Sequence, residues 1–117
     1  QGALLIEAFN LVKDGIASAE EIDKAISEGL GLRWSFMGPF QTIHLNAPEG
    51  IKGYVERYEK MYQNMFKDNN FNWSKLVQTG LEQELLNLYK PKDREKHENE
   101  RNKRLIELLI HKASKVK

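Results

Sequence analysis

The sequence predicts an all-α domain. Apolar residues recur at helical spacing along nearly the whole chain, and no segment alternates apolar and polar as a half-buried strand would. Glycines and prolines fall where helices would stop or start. About five to six helices are expected in a single domain over residues 1–117, a length that suits one small domain.

The first helix is expected to carry the stripe Leu4, Leu5, Ala8, Phe9, Leu11 and Val12, with Gly15 as its C-terminal stop. Ser18 followed by Glu21 fits a capping box: the hydroxyl and the carboxylate each satisfy an orphan amide of a second helix. Ile22, Ala25 and Ile26 then face inward until Gly29, where that helix should stop in a tight turn. Pro39 suits the first turn of a short third helix through Phe40, Ile43, His44 and Ala47. Pro48 can open the next, whose wide stripe is Ile51, Tyr54, Val55, Tyr58, Met61, Tyr62, Met65 and Phe66. Asp68-Asn69-Asn70 breaks it. A further helix carries Leu76, Val77, Leu81, Leu85, Leu86 and Leu88 and stops before Pro91. The last begins charged and turns apolar at Leu105, Ile106, Leu108, Leu109 and Ile110.

Composition excludes several classes. The net charge is +1, from 18 Lys+Arg against 17 Asp+Glu, which argues against a strongly basic nucleic-acid binder. Charge is uneven along the chain. Residues 1–89 hold 8 basic and 12 acidic side chains; residues 90–117 hold 10 and 5. No cysteine is present, so a disulfide framework, a thiol nucleophile and a thiolate metal site are all excluded. No apolar run is long enough to span a membrane. The opening Gln1-Gly2-Ala3-Leu4-Leu5-Ile6 has neither the basic region nor the cleavage site of a signal peptide, and it reads as a stretch internal to a longer protein.

Few residues point to chemistry. Gly29-Leu30-Gly31 lacks the preceding strand and third glycine of a phosphate loop. Asp68 to Asn72 resembles the start of a calcium loop, but the sixth position is Trp73 and the twelfth Thr79, so the turn and the bidentate ligand are missing. His44, His97 and His111 have no metal-like spacing. His97 is expected in solvent, and His111 near a helix end. His44 reads as a packed, hydrogen-bonded core histidine. Phe40, Tyr54, Tyr58, Tyr62 and Phe66 recur as a core stripe does, so packing is favoured over cofactor stacking. Arg33 stands apart, a lone charge in the apolar run from Leu32 to Gly38. Its planar fork suits a carboxylate. Laying its stem on Trp34, or pairing with Glu28, would equally explain it.

The stretch from Glu28 to Phe40, Glu-Gly-Leu-Gly-Leu-Arg-Trp-Ser-Phe-Met-Gly-Pro-Phe, is followed by Thr42-Ile43-His44-Leu45-Asn46-Ala47. Together they resemble the C-terminal domain of the 3-hydroxyacyl-CoA dehydrogenase family. Gly-Pro-Phe belongs to the wider family, while Gly-Leu-Arg-aromatic and His-Leu-Asn point to its lambda-crystallin branch, the L-gulonate 3-dehydrogenases. Glu7-Ala8, Gly15 to Ser18, and the acidic Glu20, Glu21 and Asp23 fit the same hairpin. The likeness is strong over residues 1–62 and weak over the tail. Asn46-Ala47-Pro48-Glu49-Gly50 departs from the pattern by one extra residue.

That resemblance implies a compact helical domain of the 6-phosphogluconate dehydrogenase C-terminal-like type, forming the substrate and dimerisation half of a cytoplasmic, NAD-dependent enzyme. The NAD-binding domain and the catalytic groups would lie outside this chain. No catalytic, cofactor-binding or metal residue is therefore assigned here, and the chain alone is expected to be inactive. The implied substrate is a small 3-hydroxy acid or a 3-hydroxyacyl-CoA. The implied partner is a second copy, with neither nucleic acid nor membrane. Arg33 is the candidate substrate-binding residue. Its fork should face the missing domain and favour the free acid, since a thioester offers no carboxylate there. A non-enzymatic helical module, or a crystallin-like structural protein, is the alternative.

Overall fold

The structure is a computed structural model that describes residues 1–66 and 72–114, and those residues are all-α. They fold into two compact units, residues 1–36 and residues 37–117. The expected break at Asp68–Asn70, and the rejected calcium loop with it, fall largely outside the described residues.

The first unit is a helical hairpin. Helix α1, Gly2–Lys13, ends before Gly15, which takes φ +69 as its helix-stopping role requires. The capping box forms: Ser18 Oγ accepts the Glu21 amide at 3.1 Å, and the Ser18 amide donates to Glu21 Oε2 at 2.8 Å. Helix α2 spans 19–34 and does not stop at Gly29 as expected. It runs from Ala19–Ala25 through one π-turn, Ile26–Leu30, into Gly31–Trp34. The Gly31 amide reaches back five residues to the Ile26 carbonyl. A Cβ on Gly31 would sit 2.7 Å from that oxygen, so this glycine allows a tight helical contact instead of ending the helix. Leu32 is buried, but Ala25 and Ile26 are exposed, contrary to their expected inward placement.

The second unit holds four helical runs. Helix α3 is Pro39–Asn46, with Pro39 in its first turn. Helix α4 is Gly50–Met65 and starts two residues later than the expected Pro48. Helix α5 spans 73–88 and kinks at Gly80, where φ is 146. Helix α6, Arg94–Ala113, follows the short turn Pro91–Asp93. The core is Ile51 and Val55 from α4 with Val77 and Leu85 from α5, flanked by Ile43, Tyr54, Trp73, Leu81 and Tyr89. Ile51 is 1% exposed; its burial is worth roughly 1.5–3 kcal/mol. The inward stripes are narrower than their spacing predicts. Leu76 and Leu88 stand in solvent because one straight face cannot be kept across the kink.

Candidate functional site

Polar side chains of the second unit serve helix ends. Four N–H groups at the start and four C=O groups at the end of any helix lack partners within it. In this unit, side chains from other helices supply several of them.

His44, on α3, is the first. Its Nδ1 accepts the Ile51 amide at 3.0 Å in the first turn of α4, and a second hydrogen bond runs to the Tyr89 backbone. An accepting Nδ1 fixes the neutral tautomer with the proton on Nε2. Burial pushes the His44 pKa down, and the nearby Arg94 cation pushes the same way; Glu82 and the Tyr89 hydrogen bond oppose them. Gly50 makes this contact possible. It takes φ +73, and a Cβ there would lie 2.6 Å from His44 Cε1. That close approach is why α4 opens at Gly50 and not at Pro48.

Arg94 closes the C-terminal end of α3. Its Nη2 donates to the Leu45 carbonyl at 2.6 Å, and its Nε donates to Glu98 at 2.9 Å. A cation at a helix C-terminus is electrostatically favoured. His97 packs edge-on against Tyr89, with ring centroids 5.6 Å apart, so it is half-buried and not solvated as expected. That aromatic neighbour lies eight residues earlier, at the C-terminal end of α5, beyond the reach of local helical spacing. His111 lies in the last turn of α6, as anticipated.

Glu59, on α4, holds the start of α5. Oε1 accepts the Trp73 amide at 2.7 Å and the Ser74 amide at 3.3 Å, and Oε2 accepts the Ser74 hydroxyl. Asn72 Oδ1 takes the Lys75 amide at 2.9 Å. The Ser74 hydroxyl, aided by the two backbone amides, holds the Glu59 carboxyl below its ordinary range against a smaller opposing effect of burial. Sequence reading singled out neither Glu59, Arg94 nor Gly50. The one local hint was a glycine directly after Pro48-Glu49.

An apolar cavity of about 340 Å³ opens beside the core, lined among others by Phe40, Tyr54, Tyr62, Trp73 and Leu81. The Tyr54 and Tyr62 hydroxyls bond to each other at 2.8 Å, and burial raises Tyr54 to about 12, so it stays protonated. The expected aromatic core stripe is only partly inside. Tyr54 and Tyr62 are half-buried, whereas Phe40 on α3, Tyr58 on α4 and Phe66 just after α4 are exposed.

In the first unit, Arg33 sits exposed in the last turn of α2, and its guanidinium makes no ion pair among the described residues. Gly29 and Gly31 lie inside α2, so their amides are not presented at a helix N-terminus to a phosphate. Among the described residues, no group of three His, Asp or Glu could hold a metal, and no helix is long and apolar enough to cross a membrane.

The family model for the C-terminal domain of 3-hydroxyacyl-CoA dehydrogenase matches residues 1–91. A lambda-crystallin homolog of Homo sapiens is 48% identical over 60 residues, 51% of this chain and 18% of its own length. An L-carnitine dehydrogenase of Bacillus cereus is 41% identical over 86 residues, 73% of this chain and 24% of its own. A 3-hydroxyacyl-CoA dehydrogenase of Gibberella moniliformis is 33% identical over 89 residues, 71% of this chain and 28% of its own. The chain thus matches between 18% and 28% of the length of these relatives. No solved structure matches it significantly.

Proposed function

The chain belongs to the 3-hydroxyacyl-CoA dehydrogenase family, as its C-terminal domain, and on that premise we propose that it is the substrate and dimerisation half of an NAD-dependent 3-hydroxy acid dehydrogenase. The observation that carries the free-acid reading is the exposed Arg33, whose guanidinium has no ion pair among the described residues. A guanidinium in an apolar run is useful where a carboxylate must be gripped bidentately. The likeness to a protein named L-carnitine dehydrogenase supports this, since L-carnitine is a 3-hydroxy acid with a free carboxylate.

NAD accepts hydride from the substrate carbinol in such an enzyme. Gly29 and Gly31 do not fit a dinucleotide loop, because they lie within α2 and present no anion-binding helix start. The dinucleotide is assigned to the rest of a cytoplasmic parent enzyme. Arg33 in this reading binds and orients the substrate carboxylate and takes no part in proton transfer.

Kinetics of the parent enzyme provide the test. It should reduce NAD with L-carnitine or L-gulonate faster than with 3-hydroxybutyryl-CoA. Arg33→Lys should raise KM for the preferred acid roughly tenfold to hundredfold, because lysine keeps the charge and loses the fork. The opposite preference, for the thioester, would favour the reading suggested by the Gibberella relative and remove the role given to Arg33. An unchanged KM with a lowered melting temperature would make Arg33 a structural residue.

A further inference from the structure

The π-turn of α2, Ile26–Leu30, lies directly before the turn that carries Arg33. Upstream, Ile22 and Ile26 line the apolar groove against α1, opposite Leu4, Leu5 and Leu11. An unbroken α-helix repeats a face at steps of three and four, so residues 30 and 33 would continue the line of Ile22 and Ile26. Arg33 would then stand on the groove side. The π-turn takes up one extra residue, which sets everything after it back by one position, about 100° round the helix axis. The line of Ile22 and Ile26 therefore runs on through Gly31 and Trp34. Arg33 leaves it and is exposed, while its neighbour Leu32 is buried and fixes the rotation of that last turn.

Gly31 admits the extra residue. Its amide donates to the Ile26 carbonyl five residues back, and a Cβ there would lie 2.7 Å from that oxygen. A Cβ on Gly29, inside the turn, would meet nothing within 4 Å. Of the two glycines, the backbone contact singles out position 31.

We infer that Gly31 is a positioning residue for the substrate: by admitting the π-turn, it holds the Arg33 fork off the groove side of α2 and open to a carboxylate. This rests on the reading of Arg33 given above and adds the backbone feature that aims it.

Steady-state kinetics of the parent enzyme, with whichever of L-carnitine and L-gulonate it prefers, test it. Gly31→Ala should raise KM for the acid roughly tenfold to hundredfold, as Arg33→Lys does, because the new Cβ favours a straight helix that swings Arg33 away. Both kcat and the KM for NAD should stay unchanged, since the lost contact is a binding one. Deleting Gly29 removes the extra residue. The bond from Gly31 to Ile26 then becomes an ordinary four-residue one, and Arg33 keeps its bearing. That deletion should leave KM at the wild-type value by itself and restore it in Gly31→Ala. Gly29→Ala should leave it unchanged too. A Gly31→Ala enzyme with wild-type KM, or one that the deletion does not restore, overturns the proposal. So does a deletion that raises KM on its own, a result that can be read even where Gly31→Ala fails to fold. An Arg33→Lys enzyme with wild-type KM instead overturns the reading of Arg33 itself.

Discussion

Gly50→Ala is expected to lower stability by about 3 kcal/mol. Two costs combine. Alanine at φ +73 is strained by roughly 1–2 kcal/mol. The new Cβ would also lie 2.6 Å from His44 Cε1, so the ring must move. Moving it breaks the bond from the Ile51 amide to Nδ1 and leaves a buried donor unpaired, at about 1–3 kcal/mol. For a chain of this size the melting temperature should fall by roughly 10 °C. A second background isolates the cause. In His44→Ala the ring is gone, so Gly50→Ala should cost only the backbone strain there. Equal costs in both backgrounds would show that the His44 contact contributes nothing.

Glu59→Ala is expected to cost about 2 kcal/mol, because it strips acceptors from the Trp73 and Ser74 amides at the start of α5. Glu59→Gln, which keeps one acceptor oxygen, should cost less. The same carboxylate makes stability depend on pH. Its folded pKa lies below its ordinary 4.5, so the unfolded chain binds the proton more readily. Its contribution is therefore complete above about pH 4.5 and lost as pH falls through the folded value. His44 acts with the same sign in a higher window. Its folded pKa lies below the ordinary 6.5, and its contribution fades as pH falls from about 6.5 toward the folded value. Melting temperature should decline in two steps on acidification. Glu59→Gln should flatten the lower step alone, and His44→Gln the upper one. A Glu59→Gln variant that keeps both steps would assign the acid sensitivity elsewhere.

In the second unit three side chains hold helix ends in register at three helix junctions. A shift of α4 relative to α3 would open the apolar cavity between them, since Ile43, Ile51 and Tyr54 share its wall. Packing and capping are thus coupled within this unit.

Sequence alone determined what depends on near neighbours. The helical period, the Ser18–Glu21 box, the Gly15 stop and Pro39 in a first turn all follow from interactions within four residues, and each stands in the structure. The resemblance carried by residues 28–47 was legible for the same reason, as a contiguous string. Tertiary structure decided the rest. The partners of the helix ends lie 7, 14 and 49 residues away, for Ile51 and His44, Trp73 and Glu59, and Arg94 and Leu45. No local pattern names such a pair, because the choice depends on which helix end packing brings close. Gly29–Gly31 shows the same limit in reverse. Local propensity reads two glycines as a stop, yet the helix passes through them, since a glycine at position 31 lets the Ile26 carbonyl approach where any side chain would collide.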